Sequence, residues 1–367
     1  MKYRNLPNGD KISTVGIGVG NYGYARITLS EVRRIFETAF EKGVNFFDTC
    51  MPVSYPVEAI AKAIAGKREK LIMQNHLCVG YPRGNYRHLL KLSDVKDAFA
   101  KELKKYGTDY SDIGTIHFVD EESDIKRLVD TGVVDYAFEL KKAGIIRNVA
   151  FSSHTASVAW KMLKEADFDV VFLGVNAGYD YESKGDVLEL SGERARLYIE
   201  CEKRGMAITV MKAYNNGQLL DARTSPFGRA MTPYQCLQYA LDRPAVASCL
   251  AGALTVEEME ETLRFYEVSP QERDYSFIGS MQRKDMTGAC TYCGHCMPCP
   301  SGIEINAVSR YYDLARAGDP LAAEHYRNLS VHADACIQCG HCREFCPFHV
   351  DMANRMQEMG QYFDEEG

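Results

Sequence analysis

The chain of 367 residues is long enough for one large domain and a small appendage, and its 46% hydrophobic and 25% charged residues are ordinary globular usage. A net charge of −7 argues against nucleic acid as a partner, because phosphate binding needs a basic face. No run of eighteen apolar residues is present to span a membrane, and Met1-Lys2-Tyr3-Arg4-Asn5-Leu6 lacks a signal-peptide core, so a soluble cytoplasmic protein is expected.

Pro7-Asn8-Gly9-Asp10 reads as a hairpin turn ahead of the first long element, placed to plug one end of the large domain. Short β-branched or apolar runs then alternate with amphipathic helical stretches from about residue 12 to residue 265. Strands are predicted near Val15–Gly18, Val44–Asp48, Leu71–His76, Ile113–Phe118, Arg147–Ser152, Val170–Val175, Ala207–Lys212 and Ala247–Gly252. Helices are predicted between them, for example Ser30 to Lys42, with Ser30 as N-cap and Gly43 as stop, and Ser93 to Tyr106, stopped by Gly107. Eight βα units in about 250 residues predict an α/β protein of the (β/α)8 barrel type. The pattern changes near residue 270, which divides the chain into a barrel over 1–270 and a small α-helical module over 271–367. In that module Ser269–Met286, Ile305–Ala317 and Leu321–Ser330 read as helices, and Asp364-Glu365-Glu366-Gly367 as a disordered tail.

In such a barrel the chemistry is built at the C-terminal ends of the strands. Those ends read Asp48, His76, His117, Ser152-Ser153-His154, Asn176 and Lys212, so the ionisable groups would face one mouth. The loop Leu77–Leu90 adds Tyr81, Arg83, Tyr86, Arg87 and His88, which could line a pocket for a polar or aromatic molecule. Cys50, two residues past Asp48, stands apart from Cys78, Cys201, Cys236 and Cys249, which read as small buried hydrophobes.

The remaining eight cysteines form two runs, Cys290-x2-Cys293-x2-Cys296-x2-Cys299-Pro300 and Cys336-x2-Cys339-x2-Cys342-x3-Cys346-Pro347. Three thiolates at two-residue spacing can wrap one face of a cubane, while the fourth, followed by proline, serves the other cluster in two-cluster ferredoxins. The expected cofactors are two 4Fe–4S clusters, one held by Cys290, Cys293, Cys296 and Cys346, the other by Cys336, Cys339, Cys342 and Cys299. Zinc in paired-cysteine sites and disulfides are the alternatives.

Val44-Asn45-Phe46-Phe47-Asp48-Thr49, Thr108-Asp109-Tyr110-Ser111-Asp112 leading to Ile116-His117, and Val210-Met211-Lys212 leading to Gly217-Gln218-Leu219-Leu220 resemble the aldo-keto reductases over residues 1 to about 267. With the cysteine runs attached, the whole chain resembles the iron–sulfur aldo-keto reductase-like proteins of anaerobes. The resemblance implies hydride transfer between NAD(P)H and a carbonyl, with a tyrosine as general acid tuned by an aspartate, a lysine and a histidine. The aspartate maps to Asp48 and the histidine to His117, while His76 takes the lysine's place. The tyrosine is expected where Val53 stands, and Tyr55 is the candidate acid. Ser152, Ser153, Asn176, Lys212 and Gly252 map to the nicotinamide cofactor's surroundings. Phe172 replaces the family's glutamine, Met211 its stacking aromatic, and Leu254 and Thr262 its adenosine-binding arginine and asparagine.

These features predict an iron–sulfur oxidoreductase acting on a small-molecule substrate. Its electrons would come from NAD(P)H or, one at a time, from a ferredoxin-like partner. A flavin could couple one- and two-electron chemistry, although no motif demands it. Metal-dependent or metal-free lyase or hydrolase chemistry at the mouth, where Asp48, His76, His117 and His154 could converge on a divalent ion, and an electron-transfer subunit with an inactive barrel, are the other classes considered.

Overall fold

The computed structural model describes residues 1–22, 27–184, 187–280, 290, 296–316, 322–346 and 350–365. Tyr3–Asn5 and Lys11–Ser13 pair antiparallel, with Tyr3 opposite Ser13. Gly9 closes the turn at φ 89°, a backbone that side chains rarely adopt, and its N–H donates to Leu6 O at 2.8 Å.

Eight parallel strands close into a barrel in chain order: Val15–Ile17, Phe46–Asp48, Ile72–Leu77, Ser111–Ile116, Ile146–Ser153, Val170–Gly174, Ala207–Met211 and Val246–Ala251. Every strand expected from the sequence is present. Their apolar runs are buried because helices cover the outer face and side chains fill the inside. Gly16 is required by this closure, since a Cβ there would lie 2.9 Å from the carbonyl oxygen of Phe46. Leu6 and Ile12 of the hairpin pack with Phe46, Ile72, Ile113, Val170 and Ala207, all near the strand starts, and so stop the N-terminal end of the barrel. Each of these two side chains contributes about 1.5–3 kcal/mol by leaving water.

The first helix of the barrel runs Leu29–Glu41, and its N-cap is Thr28, whose hydroxyl accepts from Glu31 N, rather than Ser30. Another helix spans Leu92–Lys105, ending just before Gly107 as expected.

The chain parts into two compact units. One comprises Met1–Asp180, Leu190–Ala213 and Pro233–Asp274, and the other Tyr181–Glu189, Tyr214–Thr232 and Tyr275–Gly367. A single boundary near residue 270 therefore describes only the last of these crossings, because two excursions from barrel loops belong with the C-terminal unit. That unit has its own core, in which Ile303, Val308, Tyr312, Tyr326, Met352, Met356 and Met359 pack together. Its helices include Ile305–Arg316, Ala322–Arg327 and Met352–Glu365. Two expectations need correction here. The stretch after Ser269 forms no α-helix among its described residues, only a 3-10 turn at Ser276–Ser280, and residues 281–289 lie outside the described residues. Asp364 and Glu365, expected to be disordered, end the last helix, whose Tyr362 and Phe363 pack on Tyr312. Among the described residues no helix is long and apolar enough to cross a membrane.

Candidate active site and cluster-binding cysteines

Period-two alternation sends Gln74 and His76 of the third barrel strand to the same face, and both reach Asp48 at the end of the second. Asp48 Oδ1 accepts from Gln74 Nε2 at 2.8 Å and meets His76 Nε2 at 2.7 Å, while Oδ2 accepts from Cys50 N at 3.0 Å. Asp48 is 4% exposed and His76 1%. The carboxylate thus orients the His76 ring by accepting from Nε2, which turns Nδ1 toward His117 Nδ1, 3.0 Å away. Cys50 Sγ lies 3.9 Å from His117 Nε2 and 4.0 Å from its Nδ1.

Aromatic rings wall this group. Phe172 stands edge-on to His76 at 5.7 Å, and Tyr86, His88 and Phe118 surround the His117 ring at 5.7–6.2 Å. Burial, reinforced by the neighbouring histidines, holds the His117 imidazole well below its ordinary pKa, so it is neutral at physiological pH. Burial and the Asp48 and Glu102 carboxylates push the Cys50 thiol well above its usual value, against the opposing field of Lys212. Glu102, from the Leu92–Lys105 helix, accepts from Thr49 Oγ1 at 2.7 Å and Asn75 Nδ2 at 2.8 Å, and burial still raises its pKa.

Tyr55 is not brought to this group. It is 42% exposed, and its hydroxyl is turned away to the carbonyls of Ile27 at 2.8 Å and Tyr22 at 3.1 Å. The cause is local. Ser54 N donates to Gly84 O and Tyr86 N to Pro52 O, both at 2.8 Å, and Val53 bridges Asn85, so residues 52–54 are stitched to the loop after the third strand. That loop supplies a different phenol: Tyr81 accepts from Met51 N at 3.3 Å, and its pKa is raised well above normal by burial and then by Cys50. Gln74, Glu102 and the Cys50 contact are the parts that strand-end reading did not assign. The i, i+2 relation of Gln74 to His76 was the available signal.

In the second cysteine run, Gln338 at φ 53° and Gly340 at φ 79° curl the chain, and Gln338 N donates to Cys336 Sγ at 3.4 Å. Cys336, Cys339 and Cys342 line one concavity, and Cys299 of the first run lines it too. Burial raises the Cys342 thiol, and Cys336 and Cys339 are close enough to add to the rise. Four soft thiols round one hollow, none of them in a disulfide, with a backbone amide aimed at sulfur, fit a 4Fe–4S cluster. Cys290, Cys296 and Cys346 pack against the core of the same unit, and Gln218 Nε2 donates to Cys290 O at 2.6 Å. Cys293 lies outside the described residues.

A family model described as the aldo/keto reductase family matches residues 14–227, more than half of the chain. The chain belongs to the aldo/keto reductase family. A second model, a 4Fe–4S dicluster domain, matches residues 286–350. Among curated proteins, an uncharacterised oxidoreductase of Bacillus subtilis is 26% identical over 288 residues, covering 72% of this chain and 90% of its own length. Among solved structures, the holo form of an aldo-keto reductase from Bacillus halodurans superposes with a TM-score of 0.57 at 22% identity, over 74% of this chain and 94% of that one. An aldo/keto reductase from Klebsiella pneumoniae, solved in complex with NADP and acetate, gives 0.55 at 15% identity, over 77% and 98%. The protein is therefore an aldo/keto reductase-type oxidoreductase with a 4Fe–4S dicluster domain at its C-terminal end.

Several residues mapped to the family's nicotinamide site make hydrogen bonds within the fold. Ser152 Oγ accepts from Phe118 N at 2.8 Å, Ser153 Oγ donates among Asp120 Oδ1 and Thr155 O, and the Asn176 amide spans Lys212 O and Tyr179 N. A Cβ on Gly252 would meet the Asn21 amide at 3.2 Å. Phe172 stands against His76 where the family has a glutamine.

Proposed function

We propose that this chain is an iron–sulfur oxidoreductase that takes single electrons from a ferredoxin-like donor and delivers them to a small organic substrate at the barrel mouth. The observation that carries this reading is the hollow where Cys299 of the first run joins Cys336, Cys339 and Cys342 of the second, the exchange expected of a two-cluster wire. The other cluster falls to Cys290, Cys293, Cys296 and Cys346.

The two clusters supply one-electron transfer. The barrel's own residues supply the rest. Asp48 fixes the orientation of His76, and the His76–His117 pair sets two ring nitrogens side by side, placed to hold or move a proton at a substrate oxygen. Phe172, Tyr86 and Phe118 keep that pair dry, which strengthens each polar contact. Tyr81 offers a phenol on the Cys50 side. Phe172, Met211, Leu254 and Thr262, standing in place of the family's cofactor contacts, support a one-electron donor over NAD(P)H.

The test is reduction of the full chain, purified anaerobically with its clusters. A reduced bacterial-type ferredoxin should bleach the visible cluster absorption, and NADPH at millimolar concentration should leave it unchanged. Bleaching by NADPH at a comparable rate would overturn the electron source proposed.

A further inference from the structure

We infer that Cys50, His76 and His117 form a mononuclear site for a divalent metal of the zinc class, with one coordination position left open to the substrate. The inference deepens the preceding reading, because it names how the substrate oxygen is held, and it rests on that reading for the substrate's place.

Three observations converge. One ligand atom from each residue lies within 4.8 Å of the other two, although the residues come from the ends of different barrel strands and their loops. The Nδ1 atoms of His76 and His117 stand 3.0 Å apart, and Cys50 Sγ is 4.0 Å from His117 Nδ1. Around a tetrahedral zinc with Zn–N of about 2.0–2.1 Å and Zn–S of about 2.3 Å, the N···N and N···S edges are roughly 3.3 and 3.6 Å. These two distances need change by only a few tenths of an ångström, and the third edge, Cys50 Sγ to His76, must close from at most 4.8 Å, which rotation of the short Cys50 side chain can supply.

The second observation is the support behind the ligands. A metal-bound histidine normally donates its other N–H to a carboxylate, which fixes the ring and makes the ligating nitrogen more basic. His76 does this with Asp48 at 2.7 Å, and Asp48 is itself held by Gln74 and by the backbone N–H of Cys50. The third is the donor set. Thiolate with two imidazoles suits zinc or another borderline-soft ion and not magnesium or calcium, and three protein ligands leave the fourth position that catalytic zinc sites keep.

Binding would release the Cys50 thiol proton to solvent and move the His117 proton from Nδ1 to Nε2. No electron is transferred in this step. The ion then acts as a Lewis acid on a substrate oxygen in the open position, with no redox role of its own.

The experiment uses the full chain with its clusters intact, stripped of adventitious metal by a mild chelator and then given one equivalent of Zn²⁺ under anaerobic conditions. Retained zinc should approach one per chain by elemental analysis. Zinc-edge X-ray absorption, blind to the iron clusters, should show one sulfur near about 2.3 Å and two imidazole nitrogens near about 2.0–2.1 Å. Cys50→Ser should remove the sulfur shell, and His117→Gln should weaken Zn²⁺ binding at least tenfold, in the range lost when a ligand sphere is damaged. Iron and sulfide should be unchanged in both. No retained zinc, an all-sulfur sphere, or a sphere unaltered by Cys50→Ser would overturn the site. The unsubstituted protein's own spectrum decides the matter if either variant folds poorly. Because no turnover is measured, this result is independent of the electron source tested by bleaching.

Discussion

Replacing Cys299 with serine separates crossed from self-contained cluster binding. In sequence Cys299 belongs with Cys290, Cys293 and Cys296, but its side chain lines the hollow of Cys336, Cys339 and Cys342. Serine is a poor iron ligand at neutral pH, so the variant should fall from about eight irons and eight sulfides per chain to about four of each. Two double variants then identify the missing cluster. Cys299→Ser with Cys339→Ser should lose no more than the single variant, because both strike the same cubane. Cys299→Ser with Cys296→Ser should lose nearly all iron, because they strike different ones. Changes confined to one unit are strongly non-additive, whereas changes in independent units add. Iron and sulfide determination on anaerobically purified protein, with electron paramagnetic resonance of the reduced state, provides the assay. The reverse pattern, additive with Cys339 and redundant with Cys296, would refute the exchange.

Two further substitutions probe the barrel. Asp180 is fully buried and accepts from Arg194 Nε at 2.6 Å, Tyr198 OH at 2.6 Å and Tyr239 OH at 2.9 Å, so Asp180→Ala strands a buried guanidinium. The expected loss is about 3–5 kcal/mol, on the order of 10 °C in the thermal midpoint of a barrel this size, and a shift below about 2 °C would contradict it. Tyr55→Phe removes only the hydrogen bonds to Tyr22 and Ile27, so stability should drop by about 0.5–1.5 kcal/mol and ferredoxin-driven substrate turnover should stay within about twofold. A drop of a hundredfold would return Tyr55 to the role of general acid.

The barrel was legible because each strand is a short apolar run ending in a polar residue, as in Val44–Asp48 and Leu71–His76, and burial on both faces enforces that pattern. The positions of Asp48, His76 and His117 followed from strand ends alone. The fate of Tyr55 did not, because it depends on long-range backbone bonds between residues 52–54 and 84–86, which no local propensity encodes. The helix expected after Ser269 failed for a different reason. Ser269-Pro270-Gln271-Glu272 does form the reciprocal bonds of a helix start, Ser269 N to Glu272 Oε2 at 2.9 Å and Glu272 N to Ser269 Oγ at 3.3 Å, so the local signal was real but no α-helix propagates from it among the described residues. Tyr181–Glu189 and Tyr214–Thr232 fall inside the 1–270 span assigned to the barrel, because membership of a compact unit is set by packing and leaves no periodic trace.

Leu6 and Ile12 are pressed into the strand starts. That end of the barrel is solid core, so Leu6→Ala and Ile12→Ala together would leave a dry apolar void beneath the strand starts, and its cost would fall on the closure of the whole ring rather than on the distant strand ends.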